Sequence, residues 1–171
     1  MENDINKPIF FVCNDPERAL GLENIFENYH IICSDNNPFL NTAISKGVKI
    51  FSIAKHEKKV NAVFRSSNRI LKNEKVQDYI KRHTPKRAKP NIIVFKVSLQ
   101  IERTCEKLGY NLLNTTSALN KKFELKISQY NNLSSLNTSF PKTIIGTLNS
   151  TTYSKIKKQL GEKVVIQYNR G

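Results

Sequence analysis

Residues 8–13 read PIFFVC, an apolar run with polar sequence on both sides. A run of this length is typical of a strand that is buried on both faces of a parallel sheet. Asn14 and Asp15 follow it, and then Pro16, which are residue types that begin helices. Apolar residues recur at helical spacing beyond them, so the sequence predicts a helix from about Pro16 to Asn28.

The same alternation continues outward along the chain. Short apolar runs predict further strands at residues 30–33, 48–53 and 91–95. Helical patterns predict a short helix ending near Gly47 and longer helices over 68–82 and 99–108, the last one ended by Gly109. Strands separated by helices favour a parallel sheet with right-handed crossovers. We therefore predict an α/β, Rossmann-like domain over residues 1–110.

Residues 111–171 have a different pattern. A short apolar step at Leu112 and Leu113 is followed by a predicted helix over about 116–133, a strand-like stretch at 143–146 and a helix over about 150–160. Residues 164–168, VVIQY, predict a last strand, directly after which the sequence ends. We expect these residues to be an incomplete second domain, because a final strand would lack its next pairing partner.

The chain is strongly basic, with 28 Lys and Arg residues, 14 Asp and Glu residues and a net charge of +14. Such a charge favours phosphate-bearing partners. The lysines are spread along the whole chain, however, and the densest basic cluster has no interleaved aromatic residues for stacking bases. It consists of Lys81, Arg82, Lys86, Arg87 and Lys89. We interpret it as a solvated loop, with a nucleic-acid site as the alternative.

No apolar stretch is long enough to cross a bilayer, and the N-terminus is polar, so we expect a cytoplasmic protein without a membrane partner. The cysteines are far apart in the sequence, and we expect buried free thiols rather than disulfides. They are Cys13, Cys33 and Cys105. The three histidines lack the paired spacing of metal ligands, so we expect no bound metal.

Several motifs occur in an order that carries more information than each motif alone. Asn14 and Asp15 follow the first strand, and SDNNP follows the second at residues 34–38. Later motifs are LLN at 112–114, Glu124 shortly before Lys126, FPKT at 140–143 and VVIQY at 164–168. Over nearly the entire chain this order resembles the amino-terminal part of the ATP-grasp superfamily, especially its carboxylate-amine ligases.

The resemblance implies roles for particular residues. The first domain would be a pre-ATP-grasp domain whose strand ends contact substrate, and the matching residues are Asn14, Asp15 and Asp35. The second segment would begin the ATP-grasp domain. Lys126 matches a lysine that contacts the ATP phosphates, and Gln167 stands where the family usually has a second such lysine. Glutamine can donate a hydrogen bond there but brings no charge.

Gly171 matches the first residue of the family's glycine-rich loop, whose backbone N–H groups cover the phosphates. The resemblance therefore implies a full-length parent that uses ATP and Mg²⁺ to activate a small carboxylate as an acyl phosphate. The magnesium-binding and catalytic residues of the family would lie beyond Gly171. We assign no catalytic residue to this chain, and expect it to be inactive alone and to hold no cofactor tightly.

Other enzyme classes lack their motifs in this sequence. There is no G-x-G-x-x-G, no G-x-x-x-x-G-K-[ST] and no G-x-S-x-G, which are the signatures of dinucleotide, P-loop and hydrolase sites. Two alternatives to the ligase remain open. One is a non-catalytic Rossmann-like binding module, and the other is a basic nucleic-acid-associated protein.

Overall fold

A computed structural model describes residues 7–58, 66–136, 139, 141–147, 151 and 153–169. The chain divides into two units, Met1–Ser117 and Ala118–Gly171. The described residues do not include Phe140, Gly171 or residues 150 and 152 of the helix predicted over 150–160.

The first unit contains a five-stranded parallel sheet in the order β3-β2-β1-β4-β5. Its strands are β1 (Ile9–Cys13), β2 (Tyr29–Cys33), β3 (Ile50–Ser52), β4 (Asn91–Val94) and β5 (Asn111–Leu112). The first four lie where the apolar runs predicted them. The Rossmann-like, α/β class of this unit is thereby confirmed.

Alternate residues of β1 point into two separate cores, as the pleat of a strand requires. Phe10 and Val12 belong to one cluster, which also contains residues of α3 (Ser67–Leu71), α4 (Glu74–Arg82) and α5 (Leu99–Leu108). Ile9, Phe11 and Cys13 belong to the other, which includes Leu40 of α1 (Pro38–Ser45). All five residues of β1 are buried, because helical segments cover both faces of the sheet.

The predicted helix over 16–28 is wrong. The structure has two short 3₁₀ turns there, Pro16–Ala19 and Leu22–Asn24, separated by Gly21 at φ +100°. The Tyr29 hydroxyl donates a hydrogen bond to the Ala19 carbonyl over 2.6 Å. A side chain of β2 is therefore bonded to the last residue of the first turn. Since glycine adopts positive φ readily, the chain turns at Gly21 instead of continuing as a helix.

Two further segments show how caps decide helix limits. The predicted helix over 68–82 is two helices, because Asn73 accepts hydrogen bonds from the backbone of Lys75 and Val76 and begins α4. The predicted helix over 99–108 is confirmed as α5. Ser98 caps its start and Gly109, at φ +69°, ends it. A one-turn helix, α2 (Ile53–His56), follows β3 and was not predicted.

The first unit extends beyond the predicted boundary near residue 110. β5 pairs in parallel with β4, and the side chain of Asn114 then continues the pairing. Its Oδ1 accepts from the Val94 backbone N–H over 2.9 Å, and its Nδ2 donates to the Val94 carbonyl over 2.8 Å. At the end of the unit, the Glu102 carboxylate accepts hydrogen bonds from the backbone N–H and the hydroxyl of Ser117, which holds the pKa of Glu102 below its ordinary value.

Three helices lie among the described residues of the second unit. They are α6, which starts at Ser117 and ends at Glu124, α7 (Lys126–Ser134) and α8 (Tyr153–Leu160). The predicted helix over 116–133 is interrupted at Leu125, whose backbone is extended. The strands predicted at 143–146 and 164–168 are wrong, since these residues carry neither helix nor strand. A strand requires a neighbour to accept and donate its backbone hydrogen bonds, and these stretches pair with no described residue. No helix in the described part of the chain is long and apolar enough to cross a membrane.

Candidate functional site

A cleft lies at the carboxyl ends of β1 and β4 in the first unit. The chain leaves β1 toward β2 on one side, whereas β4 pairs with β1 on the other, so the strand order reverses between these two strands. Ligands of open α/β sheets bind in the crevice that this reversal creates. The cleft has a volume of about 360 Å³, which is at the small end of the range for ligand pockets.

Three segments supply the lining of this β1/β4 cleft: the residues after β1, the start of α3 at 66–68 and the residues after β4 leading into α5. The side chains with chemical interest are Asn14, Asp15, Arg18, Phe95, Lys96 and Ser98. Two cations and one carboxylate face the same space. The lining therefore favours a ligand that carries a negatively charged group.

Arg18 is oriented by two neighbours. Its Nε lies 3.1 Å from Oδ2 of Asp15, and its guanidinium carbon lies 4.4 Å from the centroid of the Phe95 ring. The ion pair is about half exposed, so it contributes little to the free energy of unfolding. The two contacts place the guanidinium over the aromatic ring, with its Nε bonded to Asp15. A guanidinium can bind a carboxylate or phosphate through two parallel hydrogen bonds.

Asn14 contributes an unsatisfied acceptor. Its Oδ1 is buried and has no hydrogen-bond partner among the described residues. Nearly all buried polar atoms in native proteins are paired, and an unpaired one costs about 1–3 kcal/mol.

The walls of the cleft are tied to the sheet and to each other. The hydroxyl of Ser67, at the start of α3, lies 3.4 Å from the carbonyl of Val12 in β1. Thr104 of α5 donates to Oδ1 of Asn68 over 2.7 Å. The side chain of Ser98 accepts from the Ile101 backbone N–H and fixes the first turn of α5. These contacts give the cleft a preformed shape.

The cysteines are free and buried, as the sequence predicted. Cys13 lines the cleft, yet burial raises the pKa of its thiol far above the ordinary value. Burial also raises the pKa of Cys33 to about 12 and that of Cys105 to about 11. Because the thiolate is the nucleophilic form, none of the three is suited to nucleophilic chemistry.

The structure brings together two of the three residues predicted to bind substrate. Asn14 and Asp15 both line the β1/β4 cleft, whereas Asp35 is not among the described residues that line it. The carboxylate of Asp35 accepts from the backbone N–H of Asn36 over 2.8 Å, and its carbonyl accepts from the hydroxyl of Ser52. Asp35 therefore stabilises the turn after β2, next to β3.

In the second unit, Lys126 is the first residue of α7 and its Nζ donates to Oε1 of Gln129 over 3.3 Å. Gln167 is exposed. The backbone N–H of Ile127 donates to Oδ1 of Asn169 over 2.9 Å, so this hydrogen bond joins the sequence neighbours of Lys126 and Gln167. The role of these residues toward ATP stays a prediction, and Gly171 lies outside the described residues.

Sequence reasoning missed Arg18, Phe95 and Ser98. Arg18 was assigned to a helix, although it follows β1 by only five positions. Phe95 and Ser98 follow the fourth strand, and the residues just after each strand of a parallel sheet were the available signal. Among the described residues, no group of three or more His, Cys, Asp or Glu side chains is placed to hold a metal ion.

Comparisons of the chain with family models, with curated proteins and with solved structures found no match. The fold and the site nevertheless define a class. The first unit is a Rossmann-like α/β domain with a cleft at the point where its strand order reverses.

Proposed function

We propose that this chain is the amino-terminal portion of an ATP-dependent carboxylate-amine ligase of the ATP-grasp kind. In this proposal the first unit binds the carboxylate substrate in the β1/β4 cleft, and the second unit begins the nucleotide-binding domain. The observation that carries the proposal is the cleft itself, in which Arg18 is held against Phe95 at the position where open α/β sheets bind ligands.

The charge of the cleft supports a carboxylate substrate. Arg18 and Lys96 provide two positive charges, and Asp15 provides one negative charge that also orients Arg18. A guanidinium held in a fixed plane is better suited to the two oxygens of a carboxylate than a mobile ammonium group is.

The second unit supports the nucleotide part of the proposal. Residues 118–171 contain nine Lys and Arg residues but only two acidic ones, Glu124 and Glu162. A triphosphate requires such cations, and ATP supplies the phosphoryl group that activates the carboxylate. Lys126, Gln167 and Gly171 are the residues that we propose for the phosphates. The hydrogen bond between Ile127 and Asn169 is consistent with this, because it joins the two segments concerned.

The decisive test is the coding sequence beyond the codon for Gly171. We expect it to continue in frame with a glycine-rich loop, followed by the paired acidic and Asn residues that hold Mg²⁺ in this superfamily. A continuation without these features would contradict the ligase and leave the non-catalytic binding module as the better reading.

Calorimetry gives a second test on the 171-residue chain. We expect Mg²⁺–ATP to bind feebly or not at all, because the proposed loop would supply most of the phosphate contacts. A micromolar dissociation constant would contradict the idea that the proposed loop supplies most of the phosphate contacts. Changing Lys126 to Gln in a longer chain that contains the loop should weaken ATP binding, whereas the same change at the exposed residue Lys158 of α8 should not.

A further inference from the structure

We infer that the first unit binds the phosphates of duplex nucleic acid on the edge of its sheet that lies opposite the β1/β4 cleft. Six exposed cations that precede β1 or β4 in the chain form this surface, which we call the basic edge. They are Lys7, Lys81, Arg82, Lys86, Arg87 and Lys89. Because β1 and β4 are parallel, the residues before them share one edge and the cleft lies at the other. The inference is independent of the proposed ligase.

The loop between α4 and β4 has a fixed shape. The Thr84 hydroxyl donates to a carbonyl of α4 over 2.7 Å, which holds the start of the loop against the helix. A backbone hydrogen bond of 2.9 Å from Ala88 to Pro85 closes a turn, and Lys86 and Arg87 are its two central residues. Two cations are thus presented on ordered backbone, so binding there costs less conformational entropy than ordering a mobile loop would.

The far end of this loop is joined to two neighbouring strands. Pro90 is buried, and its carbonyl accepts from the backbone N–H of Asn111 over 2.9 Å. The next residue, Asn91, donates its backbone N–H to the carbonyl of Pro8 over 3.3 Å. Because Lys7 precedes Pro8, this bond brings a cation from before β1 toward the loop. The basic edge therefore combines two distant parts of the sequence.

The charge of the basic edge is not balanced within its own segment. Residues 79–101 contain no Asp or Glu. Two of the six cations lie in the last turn of α4, where they complement the negative end of the helix dipole. Lys86, Arg87 and Lys89 lie outside any helix, and none of them forms an ion pair with a described carboxylate. The charge of these three loop residues is available to an anionic partner.

The basic edge favours a duplex over a single strand. Single-strand sites combine cations with aromatic rings on which bases stack, and none of the six residues is aromatic. The exposed ring of His83 already packs on Tyr79, with 4.1 Å between the ring centroids. A surface that contacts phosphates alone favours the form with the higher charge density, and duplex DNA carries one negative charge per about 1.7 Å of its axis.

An anionic membrane fits this edge less well. Basic surfaces that bind membranes also bury apolar side chains among the headgroups. Ile25 precedes β2 on the same edge of the sheet, and 65% of its surface is exposed. It lies between Glu23 and Glu27 in the sequence, and anionic headgroups would repel these carboxylates. The exposed apolar side chain and the positive charge therefore do not coincide.

The test measures how binding of a duplex depends on salt. A fluorescein-labelled DNA duplex of mixed sequence is titrated with the 171-residue chain between 50 and 200 mM KCl, and fluorescence anisotropy reports binding. If the six cations each neutralise one phosphate, the logarithm of the binding constant should fall with a slope of about −5 against the logarithm of the salt concentration. This corresponds to a loss of affinity of about 10³-fold over that range. A duplex RNA of the same sequence should also bind, because the chemistry recognised is the phosphate.

Substitutions in the loop assign binding to the basic edge. Together, Lys86→Gln, Arg87→Gln and Lys89→Gln should make the salt slope shallower by about 3, since each phosphate contact contributes about one unit. The charge-preserving set Lys86→Arg, Arg87→Lys and Lys89→Arg should bind as the native chain does. In spectra of the ¹⁵N-labelled chain, the amide signals of residues 81–89 should shift on addition of the duplex.

A matched control removes the same charge elsewhere. Lys121→Gln, Lys122→Gln and Lys158→Gln lie at exposed residues of α6 and α8 in the second unit. This set lowers the net charge as much as the glutamine set in the loop does, and it should leave the salt slope nearly unchanged. The control is needed because the second unit is also basic.

Four results would overturn the inference. The first is no binding of either duplex at 50 mM KCl, and the second is an equal loss of salt slope in the two glutamine sets. The third is tighter binding of the single strand than of the duplex at the same salt concentration. The fourth is binding of phosphatidylserine-containing vesicles, lost with the glutamine set in the loop, by a chain that does not bind the duplexes. None of these results bears on the ligase, which the coding sequence tests.

Discussion

The two units differ in how they use similar apolar sequence. In the first unit, residues 9–13 read IFFVC, and all of them are buried between two layers of helices and turns. In the second unit, residues 164–168 read VVIQY, and three of them expose most of their surface: 86% for Val165, 72% for Ile166 and 80% for Tyr168. None of the described residues from 118 to 169 is fully buried.

The comparison shows that an apolar run becomes a strand only when other segments supply its partners. β1 has β2 on one edge and β4 on the other, and each pair brings backbone hydrogen bonds. The VVIQY stretch has the composition of a strand but pairs with no described residue. Burial therefore follows from the assembled sheet and not from local hydrophobicity alone.

The largest expected difference concerns two isoleucines. Ile32→Ala should lower the free energy of unfolding by about 2–5 kcal/mol, because Ile32 is fully buried in β2 and its truncation leaves a cavity. Ile166→Ala should change the same quantity by less than about 0.5 kcal/mol, since the side chain is exposed. Urea unfolding, followed by far-UV circular dichroism, measures both. Equal losses of free energy of unfolding in the two variants would contradict the difference between the two units.

A second prediction concerns pH and applies to the first unit. His30 is buried; one ring nitrogen lies 2.9 Å from the Tyr79 hydroxyl and the other 3.0 Å from Oδ1 of Asn28. Burial, with smaller contributions from His83 and Lys49, lowers the pKa of His30 to about 4. The neutral ring satisfies both contacts by accepting from Tyr79 and donating to Asn28.

As the pH falls, the unfolded chain protonates this histidine near its ordinary pKa of 6.5. The folded chain does so only at a lower pH. The contribution of His30 to the free energy of unfolding is therefore complete above pH 6.5 and falls by about 3 kcal/mol between pH 6.5 and 4. His30→Gln should flatten this part of the pH dependence, and His56→Gln, at an exposed residue, should not. Identical pH profiles for both variants would contradict the prediction.

The smallest predicted effect compares helix starts. Asn73 caps α4 with two hydrogen bonds, whereas Leu125, before α7, makes no side-chain cap. Asn73→Ala should lower the free energy of unfolding by about 1 kcal/mol, and Asn73→Asp should preserve it, because aspartate is an equally good cap. Leu125→Ala removes no side-chain cap, so its loss of free energy of unfolding should not include the term expected for Asn73→Ala. Thermal unfolding of the three variants at one pH provides the measurement.

The elements that were predictable are those whose signals are local. The four longer strands are buried on both faces, so their apolar runs mark them directly, and α5 has both a serine cap and a terminating glycine. Glycine and asparagine also occur inside helices, so Gly21 and Asn73 did not show from the sequence where the predicted helices are interrupted. The hydrogen bond from the Tyr29 hydroxyl to Ala19, at the end of the first turn, is a tertiary contact that no local pattern contains.

The site was predictable in part for a similar reason. Asn14 and Asp15 were identified because they follow a strand, and they lie in the cleft. Asp35 also follows a strand, yet it lies after β2, and the cleft opens between β1 and β4. Which strand ends flank the cleft depends on strand order, and strand order is set by packing between distant segments.

The side chain of Asn114 has a consequence for self-association. Unpaired backbone groups on an outer strand are a template on which a second chain can add its own strand, and natural proteins shorten or block such edges. Here β5 has only two residues, and beyond it Asn114 occupies both the N–H and the carbonyl of Val94. The short strand and the Asn114 side chain leave little of this margin open to strand addition.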